Sequence, residues 1–279
     1  MAGQPQNVDP ATVRDFGREW QRFDQSGLAA DEQARLAAEY FAVFPWSTLP
    51  ADAVGFDAGC GSGRWAALVA PRVGHLHCVD ASADALGVAR KGLAALKNVS
   101  FHEAPLDAMP LSDGSMDFGY SLGVLHHLPN PATGLSACVE KLKPGAPMLV
   151  YIYYAFDNRP RWFRLLWRMS DVLRRALSRA PFWLKSGITD VIAALIYWPL
   201  ARGARLFEHA GGDVEHWPLT AYRSLSFYSM RTDALDRFGT RLEHRMTRPQ
   251  ITAMMEAAGL REIRFSDALP FWCAVGRKA

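Results

Sequence analysis

The stretch Val54-Gly55-Phe56-Asp57-Ala58-Gly59-Cys60-Gly61-Ser62-Gly63-Arg64 constrains this chain more than any other feature. Glycines at 59, 61 and 63 let the backbone turn tightly at the end of an apolar strand, and they let a ligand approach the main chain where any Cβ would obstruct it. Seventeen residues beyond Gly63, the run His77-Cys78-Val79-Asp80 ends on a carboxylate. At the end of a second strand, such a group can accept hydrogen bonds from two ribose hydroxyls. A strand, a glycine turn, a helix and an acid-tipped strand predict a nucleoside site. The plainer alternative is a glycine turn with a surface Asp and no ligand.

Around this stretch the chain alternates regularly. Strands are predicted at Ala53–Phe56, His75–Val79, Val99–His102, Met116–Ser121 and Met148–Tyr154, with helices at 64–69, Ala83–Leu96 and Ala132–Leu142. Strands about 20 residues apart with helices between them imply right-handed crossovers and a parallel sheet. The alternation stops at Asp157 and resumes near Arg248, where Pro249, Ile251, Met254, Met255 and Ala258 suggest a helix opened by proline and closed by Gly259. Ile263–Phe265 and Phe271–Val275 follow with a turn at Pro270. That connection is too short for a parallel crossover, so this pair is expected to be antiparallel. Ahead of the sheet, Val13, Phe16, Trp20 and Phe23 recur at helical spacing, as do Leu36, Tyr40, Phe41 and Phe44.

The glycines alone leave the nucleoside open, because Gly61-Ser-Gly-Arg-Trp-Ala also satisfies the looser dinucleotide pattern. Asp57, two residues before the first glycine, and the antiparallel C-terminal pair decide it. Over residues 53–154 and 247–277 the chain resembles the class I S-adenosylmethionine-dependent methyltransferases, whose motif is acid-x-Gly-x-Gly-x-Gly. The resemblance implies a doubly wound, Rossmann-like α/β sheet of seven strands, with strands 6 and 7 antiparallel, N-terminal helices (1–50) and a helical insert (157–246) in a core of 51–156 and 247–279. It also implies that Gly59, Cys60, Gly61 and Gly63 hold the methionine part of S-adenosylmethionine, that Asp57 supports the loop and the cofactor's ammonium, and that Asp80 with Ala81 binds the ribose. The family's adenine-binding stretch aligns with Glu103–Leu111, where Pro105 stands in place of the usual acid. Leu106 and Asp107 are then expected to read the adenine, against a plain capping role for Asp107.

After strand four comes Ser121-Leu122-Gly123-Val124-Leu125-His126-His127-Leu128-Pro129, at the sheet edge where ligands of open α/β folds sit. Adjacent histidines in a loop commonly cap or pack. The segment is similar, however, to the Leu-His-His stretch of small-molecule and lipid methyltransferases. That likeness implies His126 as base or acceptor-orienting group, with His127, Ser121 and Leu122 beside the cofactor. A hydroxyl acceptor is best served by a base with a pKa near 7. The stretch Tyr153-Tyr154-Ala155-Phe156-Asp157-Asn158-Arg159 offers Tyr153, Tyr154, Asn158 and Arg159 as acceptor contacts. No Asp/Asn-Pro-Pro-Tyr/Phe stretch follows strand four, which argues against nucleobase and amide acceptors.

The insert spans about 90 residues, too long for a plain loop, and is expected to be helical. Trp162, Leu165, Leu166, Met169, Val172, Leu173 and Leu177 line one helical face, with Arg161, Arg164, Arg168, Asp171 and Arg175 on the other. Two readings stand: a cap packed over the sheet that encloses the acceptor pocket and excludes water, or an interfacial helix on anionic lipid through 161–201. Either implies a small or lipid-like acceptor, methylated at oxygen or carbon. Residues 158–209 carry +7 of a net +3, which leaves the remainder near −4. That balance is too small for a nucleic-acid-coating protein. Cys60, Cys78, Cys138 and Cys273 form no metal or disulfide pattern, and no metal is called for; reduced thiols fit the cytoplasm, with peripheral contact at the inner membrane face left open. Met1–Pro10 has no signal-peptide pattern, and Val191–Ala201, the longest apolar run, has 11 residues where a spanning helix needs about 20. Three rivals remain: within the class, a membrane-surface lipid or quinone methyltransferase; outside it, a nicotinamide-dependent dehydrogenase, for which no Tyr-x-x-x-Lys is present, and a cofactor-binding module without turnover.

Overall fold

The computed structural model describes residues 7–279; the first six residues of the polar N-terminal stretch lie outside the described residues. Seven strands form one sheet in the order β3-β2-β1-β4-β5-β7-β6: β1 Val54–Ala58, β2 His75–Asp80, β3 Val99–Glu103, β4 Phe118–Leu122, β5 Pro147–Tyr151, β6 Leu260–Phe265 and β7 Cys273–Lys278. Neighbours pair in parallel except β7, which runs antiparallel to both β5 and β6. The strand order reverses between β1 and β4, so a crevice opens at their carboxyl ends. The residues that follow those two strands are the glycine loop and the His126–His127 segment.

Close packing across that central pair comes from small residues facing large ones. Gly55 stands opposite Phe118 and Phe56 opposite Gly119. Each ring occupies the space that a Cβ on the facing glycine would need, which is why a strand interior tolerates glycine here. One apolar layer gathers Phe56, Val79, Leu125, Leu135, Met148 and Met255, and the other Phe41, Trp65, Leu76, Leu86, Tyr120 and Leu149.

Helices flank the sheet: α1 Pro10–Arg22, α2 Ala30–Tyr40, α3 Ala66–Val69, α4 Ala83–Gly92, α5 Pro131–Lys141, and later α10 Arg248–Ala257. Asp9 caps α1 through the amides of Ala11 and Thr12, with Pro10 in the first turn. The proline-opened helix near Arg248 forms as expected, with a capping box between Thr247 and Gln250, and Gly259 follows it at φ +87°.

Several boundaries move. Strand five ends at Tyr151 and not Tyr154, the helix at 83 ends at Gly92 and not Leu96, and β7 begins at Cys273 and not Phe271. Apolar spacing finds an element, whereas its end depends on where the partner strand's hydrogen bonds stop. Tyr154 keeps only an isolated bridge to Met246.

The chain divides into two compact units: residues up to 25 with 33–155 and 242–279, and residues 26–32 with 156–241. The second unit is helical, with α6 Arg161–Leu177, α7 Phe182–Ile192, a π-helical turn at Ala193–Tyr197, α8 Trp198–His209 and α9 Phe227–Gly239. Its interior mixes Ile192, Tyr197, Met230 and Phe238 with polar groups. Arg174 Nε donates to Asp171 at 2.6 Å and its Nη1 to the Thr240 carbonyl at 3.0 Å, while Lys185 Nζ donates to the Gly239 carbonyl at 2.8 Å. These charges are buried and satisfied at the carboxyl end of α9, where helix carbonyls otherwise lack partners.

The face of α6 buried within this unit is not the apolar stripe. Asp171, Arg174 and Leu177 are buried, whereas Trp162, Leu165, Leu166, Met169, Val172 and Leu173 are exposed. The buried ion pair claims the inward face. Within this unit the apolar stripe of α6 is therefore left exposed.

Candidate active site

The glycine loop closes on the neighbouring strand. The amides of Gly59 and Cys60 both donate to the Val79 carbonyl, at 2.8 and 3.0 Å, and Gly63 N donates to the Cys60 carbonyl at 2.9 Å. Gly59 sits at φ +82° with Val124 against the position its Cβ would take, so conformation and space both demand glycine there. At Gly61, φ +54°, a Cβ would stand 2.7 Å from Trp20 Nε1. The cradle is therefore lined by main chain on one side and by α1 on the other.

Asp57 is buried below the loop, and neither carboxylate oxygen forms a hydrogen bond of good geometry. Burial pushes its pKa up to about 8; the Tyr120 hydroxyl beside it pulls down, Asp80 adds to the rise, and Arg64 lowers it. Asp57 is thus a neutral acid waiting for a cationic partner. Asp80, at the tip of β2, accepts from Gly61 N at 2.9 Å and from Ser82 N at 2.8 Å. Burial raises its pKa, and those two amides oppose the rise. Two accepted bonds leave lone pairs on the carboxylate for ribose hydroxyls. Ala81, next in the chain, is half-buried, and Cys60 is buried with its thiol facing the Gly61 carbonyl.

Helix α1 crosses this region, a contribution that sequence reasoning missed. Phe16 lies 4.9 Å from the His127 ring, the missing Cβ of Gly17 makes room for Ser82 Oγ, and Gln21 Nε2 donates to Asp84 at 2.9 Å. The signal was present as Phe16 and Trp20 on one helical face with Gly17 between them. At the end of β3, Asp107 accepts from Asn7 N at 2.9 Å, and Asn7 also exchanges hydrogen bonds with the main chain of Asn130, at 2.7 and 2.8 Å. Asp107 is exposed and Leu106 is buried in the core.

Beyond β4, Ser121 Oγ donates to the Ala58 carbonyl at 2.9 Å, tying β4 to the root of the loop, and Leu122 is buried. His126 and His127 are both buried, with ring centroids 4.2 Å apart. The His127 Nδ1 lies 2.7 Å from the Leu242 carbonyl, which can only accept, so that nitrogen carries the proton. In His126, Nδ1 accepts a long 3.4 Å hydrogen bond from Tyr153 N, which assigns the proton to Nε2, an atom without a protein acceptor. The ring stacks on Tyr153 at 3.8 Å. Burial holds the His126 pKa well below the usual histidine value, with His127, Arg245 and His244 adding to the fall. The expected pKa near 7 is thus corrected: His126 is a neutral imidazole.

The four expected acceptor contacts separate. Tyr153 joins His126, with the Arg245 guanidinium 5.0 Å from its ring on the other flank. Tyr154 packs against Phe271 and Trp272. Asn158 and Arg159 belong to the second unit, where Asn158 is exposed and Arg159 is buried, donating to the Glu215 carbonyl with His216 Nδ1 at 3.3 Å. Among the described residues, no group of three or more His, Cys, Asp or Glu is placed to hold a metal ion.

These features fit S-adenosylmethionine. A buried, neutral acid with only the Tyr120 hydroxyl beside it suits an ammonium, the glycine cradle suits a close-lying chain, and Asp80 suits a diol. Comparison with known proteins agrees. Residues 56–150 match the family described as "Methyltransferase domain". A ubiquinone biosynthesis O-methyltransferase of Aromatoleum aromaticum is 33% identical over 105 residues, covering 37% of this chain and 43% of that protein, so the chain spans less than half of that relative. One of the same name from Hahella chejuensis is 25% identical over 230 residues, covering 75% of this chain and 92% of that protein. The fold matches a solved S-adenosylmethionine-dependent methyltransferase of Thermotoga maritima, described as a possible histamine N-methyltransferase, with TM-score 0.51 and 14% identity over 95% of this chain and 99% of that one. The glycine cradle, its two acids and the matched segment together establish that this chain carries a class I S-adenosylmethionine-dependent methyltransferase domain.

Proposed function

We propose that the protein methylates an acidic hydroxyl, of the phenolic kind, on a small apolar or lipid-like acceptor. The observation that carries this reading is the neutral His126, stacked on Tyr153 and close to the positive charge of Arg245. A cation that makes protonation of His126 unfavourable also favours loss of a proton from a hydroxyl placed there. The aromatic wall of Tyr151, Tyr153 and Phe16 suits a flat, apolar ring. The name of the two relatives above supports transfer to oxygen.

The bound cofactor supplies an electrophilic methyl on sulfur. Held by Asp57, the glycine loop and Asp80, the cofactor would give up its methyl group to the acceptor oxygen with the electron pair staying on sulfur, while the acceptor hydroxyl would lose its proton to water. His126 donates from Nε2 to the acceptor oxygen and holds it in line, the orienting role of the two that the sequence reading offered. Asp57, the glycine loop, Asp80, Leu106 and Asp107 are assigned to the cofactor.

Transfer of labelled methyl to a phenol with an alkyl tail, an amine and a carbon acid of similar size tests the reading. Label in an aryl ether, with kcat/KM lowered about 100-fold in His126→Ala and S-adenosylhomocysteine affinity within a few-fold, is the expected result. Label appearing only on the amine overturns it.

A further inference from the structure

Helices α6 to α8 place apolar residues outside and charged ones inside. On α6 the ion-paired Asp171 and Arg174 face inward, while Leu165, Met169 and Val172 are 60, 66 and 69% exposed. At 3.6 residues per turn the exposed apolar residues form one stripe, and Arg161, Arg164, Arg168 and Arg175, all exposed, run along its flank. The continuation through α7 and α8 adds Trp183 at 74% and Leu206 at 71%. Of 16 large apolar side chains exposed among the described residues, 15 lie between 162 and 207. Scattered exposed leucines need no explanation, but this concentration in one helical segment does.

We propose that this face docks on the surface of an anionic lipid bilayer, with tryptophan and leucine at the acyl boundary and arginine against the head groups. Charge complementarity selects that occupant. The acids of the segment are engaged in ion pairs, Asp171 with Arg174, Asp190 with Arg231 and Glu208 with Arg223, so the outward field is that of the arginines. Among the described residues no helix is long and apolar enough to cross a membrane, so the contact lies in the interfacial plane. The inference goes beyond the acceptor proposed above and does not rest on it.

Flotation of the full chain with vesicles containing about one-third phosphatidylglycerol in phosphatidylcholine, against phosphatidylcholine alone, tests the proposal at about 0.05 and 0.5 M salt. Binding at least ten times stronger on the anionic vesicles is expected. The triple variant Arg161→Gln/Arg164→Gln/Arg168→Gln loses roughly fivefold per arginine, and Trp162→Ser/Leu165→Ser/Met169→Ser abolishes flotation at both salts. Circular dichroism shows whether the serine variant folds; if it does not, Trp183→Ser replaces it and weakens flotation. Absence of flotation by the unmodified chain, flotation unchanged in the folded variants, or a dimer in light scattering that the serine variant dissociates while vesicles are ignored overturns the proposal. S-adenosylhomocysteine calorimetry on the same samples separates these outcomes from a failure of the methyl-transfer reading.

Discussion

Replacing Asp57 by asparagine separates the cost of burying a carboxyl from its use. In the folded chain its pKa is pushed up to about 8, above the ordinary 3.8, so the folded state holds the proton longer than the unfolded state. Stability associated with this group is therefore fully present below pH 3.8 and is lost as the pH rises toward 8. Each unit of difference corresponds to about 1.4 kcal/mol, so at pH 7 the penalty is at most about 4 kcal/mol. The asparagine side chain does not ionise, so urea unfolding should show the Asp57→Asn variant gaining on the original chain by up to that amount between about pH 4 and 7. The same substitution removes the partner for the cofactor's ammonium. Cofactor binding pulls the Asp57 pKa down, so at pH 7 the original chain releases about one proton per cofactor bound, read by calorimetry in buffers of different ionisation enthalpy. Asp57→Asn should bind more weakly and release none of that proton. A pH-independent stability difference, or identical proton release by both proteins, refutes the assignment of a neutral buried acid.

Other consequences are as direct. Because burial keeps His126 neutral, kcat/KM should show no inflection near pH 6.5 that disappears in His126→Gln; such an inflection would restore His126 as a titrating base. Gly59→Ala must take φ +82° against Val124, so a loss of about 2–4 kcal/mol in thermal unfolding is expected, with weaker cofactor binding; an unchanged melting temperature contradicts the loop geometry. Asp171→Ala leaves Arg174 buried without its carboxylate and should destabilise the chain by about 3–5 kcal/mol in urea; a change below about 1 kcal/mol would show the pair to be solvated. His77 is held down at about 4 by burial, His75 and His102. Its contribution to stability is present above pH 6.5 and lost as pH falls through 4, roughly 1–2 kcal/mol after solvent screening; acid unfolding of His77→Asn should lack it.

Much of the fold was legible because the informative residues are neighbours along the chain. A strand, a glycine turn and an acid at a fixed distance specify one another through backbone geometry alone, so Asp57, Gly59, Gly61, Gly63 and Asp80 could be named from spacing and resemblance. The antiparallel final pair followed from a connection too short to cross over. Tyr153 and Tyr154 looked alike in sequence, yet one stacks on His126 and the other packs on Trp272, because successive residues of an extended chain point to opposite sides and the connection between β6 and β7 lies on one of them.

By itself, then, the sequence determined the alternation of elements, the cofactor loop with its two acids, and the amphipathic, arginine-rich character of the insert. Tertiary structure alone decided which side of α6 faces inward, that α1 supplies Trp20 and Phe16 to the site, and that His126 is neutral. Spacing along a chain fixes the periodicity of a helix but not its rotation about its own axis. That rotation, like a pKa, is set by groups far away in sequence: here Thr240 accepting from Arg174, and Arg245 and His244 beside the buried imidazole.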